Sequence, residues 1–410
     1  MGASFMTTLT DPHKDSFSLS QLIYDTRYRS MTIQVVALIC FVALFAWLIS
    51  NTVANLAALG KDFNFGFLSV RAGYDINQRI IEYSSNSTHL RASMVGLLNT
   101  LLVAFLGCIL ATIIGVIAGV LRLSKNWLTA KLMTVYVESF RNIPVLLWII
   151  AFFAVLTEAT PAPNAFRGEN PTASMWLGDT VAVTNRGSYI PAPVWGEGSI
   201  LVVVTFLLSL LGIWAFGRYS RRRQEATGQI LPNFWIKLAI FFVPAVIAYF
   251  LFGRPIGLEY PELKGFNFQG GLFMRNSLIA LWLALSFYTG SFIAENVRAG
   301  ILAISRGQTE AAHALGLRPG RTMNLVILPQ ALRVIIPPLI SQYLNLTKNS
   351  SLAIAVGYMD LRSTLGGITL NQTGRELECM LLMMLIYLIV SLMISGAMNV
   401  YNNSVKLKER

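Results

Sequence analysis

Residues 295–351 read ENVRAGILAISRGQTEAAHALGLRPGRTMNLVILPQALRVIIPPLISQYLNLTKNSS, a basic passage that leads into an apolar helix. Its centre, Gln308 to Leu315, is Ala-rich and of helical composition. Gly316 follows at the place where a helix ends in the left-handed region. Arg298, Arg306, Arg318, Arg321 and Arg333 flank this piece. Arginines crowding a short loop between two apolar spans assign that loop to the cytoplasm. The loop is therefore expected to present a small helix, with Ala311, Ala312 and Leu315 on one face, above a basic platform. Such a shape suits docking into a groove of a soluble partner.

The surroundings agree with a loop between membrane spans. Of 410 residues, 54% are hydrophobic and 13% charged, whereas soluble domains carry about a quarter charged residues. A net charge of +12 would suit nucleic acid. Lys and Arg concentrate, however, in the segments assigned to one side of the bilayer, so the charge is a topology signal, directed at anionic lipid and a cytosolic partner rather than nucleic acid. Cys40, Cys108 and Cys379 all lie in apolar segments and read as small buried hydrophobes. The histidines are His13, His89 and His313, and no His/Cys/Asp cluster has metal-ligand spacing. No Gly-x-x-x-x-Gly-Lys-Ser/Thr occurs, so this chain has no P-loop with which to hold ATP. No cofactor of its own and no catalytic role are expected.

Apolar runs mark eight helices: Met31 to about Val53, Ser93–Leu121, about 132–156, Ser199–Phe216, Trp235–Phe252, Phe273–Val297, Leu332–Val356 and Leu377–Tyr401. The first is longer than the ~7–15 apolar residues of a signal-peptide core and reads as retained. An all-α polytopic membrane protein with both termini cytoplasmic is expected. Gly107, Gly115 and Gly119 would let another helix approach closely. Residues 158–197 hold Pro161, Pro163, Pro171, Pro191 and Pro193 and read as an extended external loop, which contacts a delivery protein or merely caps the bundle. Residues 253–272 read as a short Gly/Pro loop, and Arg218, Arg221, Arg222 and Arg223 as a positive-inside cluster.

Glu310-Ala311-Ala312, Gly316, Val326 and Leu328-Pro329 resemble the signature of importer-type ABC permeases, with Val326 where isoleucine is usual. SFRNIP at 139–144, AENVRAGI at 294–301 and LPQALR at 328–333 resemble its polar amino-acid branch. The resemblance covers roughly 93–157 and 272–400. It implies a permease subunit moving L-amino acids across the bacterial inner membrane. The implied partners are a second, paralogous permease, two ATPase subunits that use ATP and Mg, and an external amino-acid-binding protein. It implies a five-helix core at 93–157 and 273–401 with a coupling loop at 298–331. The tail 1–29, the first helix and loop 30–92, the insertion 158–272 with two helices, and the tail 402–410 would be additions. Glu310, Ala311, Ala312, Leu315, Gly316, Leu328 and Pro329 would couple to the ATPase. An ion-gradient-driven secondary transporter of small polar solutes is the competing expectation.

Ionisable residues within spans are costly and face protein or a wet cavity. Glu138 and Arg141 share a helix face and would line a gate, or hold helices in register as an internal pair. Pro144 would kink their helix a turn later. Glu295 and Arg298 read as an interfacial pair that anchors the docking loop. Gln342, Asn345, Lys348, Asn349 and Ser350 form a polar stretch that would meet substrate, with Tyr288, Thr289 and Ser291 facing the same cavity. Lys348 could instead pair with Glu138 or reach outward.

Overall fold

The computed structural model describes residues 21–405 except 59, 61, 62, 169 and 230. The expectations at 1–20 and 406–410, including His13, lie outside those residues. Residues up to Gly66 and residues from Phe67 form two separate units. The first holds the short α1 (Gln21–Tyr24) and the long α2 (Thr26–Ala58). The apolar stretch of α2 has mean hydropathy 2.5 and is long enough to cross a membrane.

In the second unit, α3 (His89–Leu121) packs along α8 (Asn276–Leu302). Glycines allow the approach. A Cβ at Gly115 would lie 2.5 Å from that of Ile293, and one at Gly119 2.6 Å from the Ala294 carbonyl. Gly107 faces Leu346, so the expected close approach involves two neighbours. Val103, Leu281, Leu285, Ile293, Ile335 and Leu346 belong to the core these contacts bury. Thr88 caps α3 by accepting from the Arg91 N–H, which starts the helix four residues before the expected Ser93.

The expected helix at 132–156 is two helices. α4 (Trp127–Asn142) and α5 (Val145–Glu158) meet at 110°. A residue preceding proline is pushed out of the helical region, and Ile143 is extended at φ −102°, ψ 134°. Pro144 supplies no N–H to continue the ladder. Aromatic rings fill the elbow: Phe140 stacks on Trp148 with centroids 4.0 Å apart. Among the described residues, seven helices are long and apolar enough to cross a membrane, or eight if this bent pair counts as one.

The segments 158–197 and 253–272, expected as loops, fold as short antiparallel strands. β1 (Ala182–Thr184), β2 (Gly187–Ile190) and β7 (Leu272–Arg275) form one sheet. β3 (Ala192–Trp195) pairs with β4 (Ile256–Glu259), and β5 (Glu262–Lys264) with β6 (Asn267–Gln269). Tyr189, Phe268 and Ala182 give this cap its own small core. α6 (Ser199–Thr227) and α7 (Asn233–Leu251) form a hairpin that β3 and β4 close at its base. α6 runs well past the expected Phe216, so Arg218, Arg221, Arg222 and Arg223 project from its last turns.

After α8 come α9 (Arg306–Ala314), the turn α10 (Pro319–Thr322), a π turn over Met323–Ile327, and α11 (Leu328–Asn349). A 3-10 turn extends α11 to Val356, so that Pro319–Val356 is one 38-residue span. It begins well before the expected Leu332. The chain then makes α12 (Leu361–Ser363), a second π turn, α13 (Leu370–Thr373) and α14 (Glu376–Val405). Asp360 accepts from the Ser363 N–H at 2.9 Å and caps the first of these turns.

Candidate coupling loop and translocation face

α9 stands out from the bundle between α8 and the 38-residue span. Gly316 has φ +75° and terminates it, with its N–H donating to the His313 carbonyl and that of Leu317 to the Ala312 carbonyl. Only glycine takes this backbone without strain. Ala312 is 4% exposed and Leu315 81% exposed. The presented face therefore carries Glu310, Ala311 and Leu315, while Ala312 anchors the helix inward, which corrects the expectation that Ala312 shares the outer face. Leu328 and Pro329 are exposed at the start of α11. Gln330 donates to Gln308 at 3.4 Å and ties α9 to that start. Proline is tolerated there because the preceding π turn opens the ladder that its ring would otherwise strike.

Four charged side chains meet beside the loop. Glu295 accepts from Arg122 and from Arg298. Arg122 also lies 3.7 Å from Glu138. α4 and α8 are thus joined through a residue at the end of α3, whose side chain is 10% exposed. The Glu295–Arg298 pair is present as expected. Glu138 and Arg141 are not an ion pair: Arg141 lies over the Phe292 ring at 5.4 Å. In the sequence Arg122 is only a charge that follows an apolar span. Its contact with Glu295 joins residues 173 apart, and no local pattern signals it.

On α11, Ser341, Asn345 and Lys348 are exposed at spacings of four and three, one polar stripe along the helix. Gln342 and Asn349 are half-buried. Ser350 is fully buried and donates to the Thr347 carbonyl, so it belongs to the helix rather than to the stripe. Lys348 does not reach Glu138, which pairs with Arg122 instead. Thr289 and Ser291 are buried in the α8 packing, and Ser291 donates to the Tyr288 carbonyl; they do not share the exposed face of Lys348. Tyr343, on the flank of α11, exchanges a hydroxyl bond with Thr112 of α3 at 2.7 Å.

Residues 226–406 match the family described as binding-protein-dependent transport system inner membrane component. The chain is 60% identical to the glutamate/glutamine/aspartate/asparagine transport system permease protein BztB of Rhodobacter capsulatus, over 99% of this chain and all of that one. It is 43% identical to the general L-amino acid transport system permease protein AapQ of Rhizobium johnstonii, over 98% of each chain. It is also 43% identical to the putative amino-acid ABC transporter permease protein YhdX of Escherichia coli, over 93% of this chain and 95% of that one.

Proposed function

This chain belongs to the binding-protein-dependent transport system inner membrane components, a multi-pass membrane protein of that family, and from that premise we propose that it is one permease subunit of an ATP-driven importer of L-amino acids. The observation that carries the proposal is the end-to-end, 60% identical match to a permease named for glutamate, glutamine, aspartate and asparagine. The chain works with a second permease, two ATPase subunits and an external binding protein, and ATP with Mg is consumed in the ATPases. Five spans at 93–157 and 273–401, with the bent α4–α5 pair counted as one, form the translocating core. The remaining helices are additions to it.

α9 docks on the ATPase in the cytoplasm. Movement there passes through the turn at Pro319–Thr322 and the π turn into α11, because these segments form one continuous span. A rigid element with two arrangements is what such coupling needs. The Ser341–Asn345–Lys348 stripe then faces the partner permease across the path, where polar side chains escape lipid. Glu138 and Arg141 sit at the cytoplasmic end of that path.

Glu310→Lys reverses the charge on the presented face, and Gly316→Asp places a Cβ at φ +75°. Both variants are expected to insert and assemble but to lose uptake. Cells making these variants at normal membrane levels, assayed for labelled L-glutamate uptake, test this; wild-type rates would remove the coupling role. Uptake that survives loss of the ATPase and collapses with the ion gradient would favour a secondary transporter instead.

A further inference from the structure

The α6–α7 hairpin is tied at its base by the β3–β4 ladder, and its two helices pack chiefly against each other. Both are long and apolar enough to cross a membrane. The end away from the ladder changes character within a few turns. Residues 214–237 read WAFGRYSRRRQEATGQILPNFWIK and set Arg218, Arg221, Arg222, Arg223 and Lys237 against a single acid, Glu225.

The geometry of this end is fixed. The buried Ser220 donates to Asn233 Oδ1 at 2.6 Å and fastens the last turns of α6 to the start of α7. One turn back toward the apolar part, a Cβ at Gly217 would stand 3.6 Å from Lys237 Nζ, so the ammonium lies in the seam between the helices. Arg218, beside Gly217, lies over the Trp214 ring at 4.1 Å. Among the described residues neither Arg218 nor Lys237 has a carboxylate partner. Arg221 shares the face of Arg218. Its pair with Glu225, at 3.6 Å and exposed on both sides, holds it only weakly. Trp214, Phe234 and Trp235 are exposed at the same end, as aromatic side chains are where hydrocarbon gives way to headgroups.

We propose that the seam at Gly217 binds the headgroup of an anionic phospholipid, with its phosphate between Lys237 and Arg218, Arg221 beside it and its acyl chains along the exposed apolar faces of the hairpin. Charge decides the class of ligand: the cations call for an anion, and a zwitterionic lipid brings an ammonium that they repel. Depth decides between lipid and protein. An acidic protein surface could meet Arg221, Arg222 and Arg223 past the end of the apolar stretch. Lys237 is half-buried a turn deeper, at the level of the aromatic rings, where a lipid phosphate lies. The hairpin is then an outrigger that moors the permease to anionic lipid. This goes beyond the transport reading and needs neither substrate nor ATPase.

The test counts lipids on the full chain, purified with its co-purifying subunits, by native mass spectrometry during titration with dioleoylphosphatidylglycerol or dioleoylphosphatidylethanolamine. The wild-type protein should bind the anionic lipid about tenfold or more tightly, the scale of a few cations beside an anionic headgroup. Arg218→Gln, Arg221→Gln and Lys237→Gln together should abolish the preference. Lys237→Gln alone should already weaken it severalfold, which keeps the test decisive if the triple variant does not fold. Lys125→Gln with Lys131→Gln, exposed cations elsewhere in the chain, should leave it intact. Equal affinity of the wild type for the two lipids overturns the site, as does a preference that survives both the single and the triple variant. Displacement of the lipid by inorganic phosphate would mark a soluble-anion site and overturn the lipid assignment. Loss of a co-purifying subunit from the triple variant at unchanged lipid preference would give this surface to a protein instead.

Discussion

Arg122 touches carboxylates from two helices, Glu138 of α4 and Glu295 of α8, and the two contacts differ in worth. The Glu295 contact is short and mostly enclosed, so Arg122→Met strands a carboxylate shared only with Arg298. Breaking such pairs costs on the order of 3–5 kcal/mol, less here because Arg298 remains. A melting temperature of the purified protein lower by several degrees is the expected outcome; an unchanged midpoint would mean that the contact holds nothing together. Glu138 is 50% exposed at its side chain and 3.7 Å from its partner. Pairs of that kind contribute about 1 kcal/mol or less. Glu138→Gln should therefore assemble normally, and a fall in uptake at normal assembled yield would assign Glu138 to the path. Steric limits act at the same scale. Gly119→Val would push a side chain into the Ala294 carbonyl and part α3 from α8, whereas Gly307→Ala meets open space. The first should lower the yield of folded protein and the second leave it unchanged, as size-exclusion profiles would report.

At the scale of the element, the π turn over Met323–Ile327 holds one residue more than an α-helical turn needs. Deleting Asn324 would convert it to regular helix and rotate α10 against α11 by about 100°. The variant should insert and still lose uptake; transport at the normal rate would show that the angle between the docking segment and the span is immaterial. How legible each element was depends on its length. The spans were readable because twenty apolar residues exceed any soluble alternative, and α9 because Ala-rich composition and Gly316 mark both its body and its end. The strands of the cap were not, since three or four residues around prolines carry no alternation to detect. The bend at Pro144 was readable in place but not in size. Its 110° depends on Phe140 and Trp148 stacking across it, and no spacing rule announces that contact. Nor could sequence turn Ala312 inward, because its neighbours come from other elements.

For the whole molecule, the first question is which face of the bilayer each end meets. Thr309→Cys on α9 and Phe266→Cys on the cap should react with an impermeant thiol reagent from opposite sides of the membrane, in a background where exposed Cys40 is replaced by Ser. Labelling of both from one side would reverse the account of coupling. The ladder between β3 and β4 bears on a different matter. Ala192 stands directly across from Glu259, so the chain departs for the α6–α7 hairpin and comes home at almost the same point in space, roughly 5 Å apart. A segment with adjoining ends is a graft: excising 192–259 and splicing residues 191 and 260 through a two-residue turn leaves no gap for the remaining scaffold to bridge, so a shorter permease built this way should still reach the membrane folded.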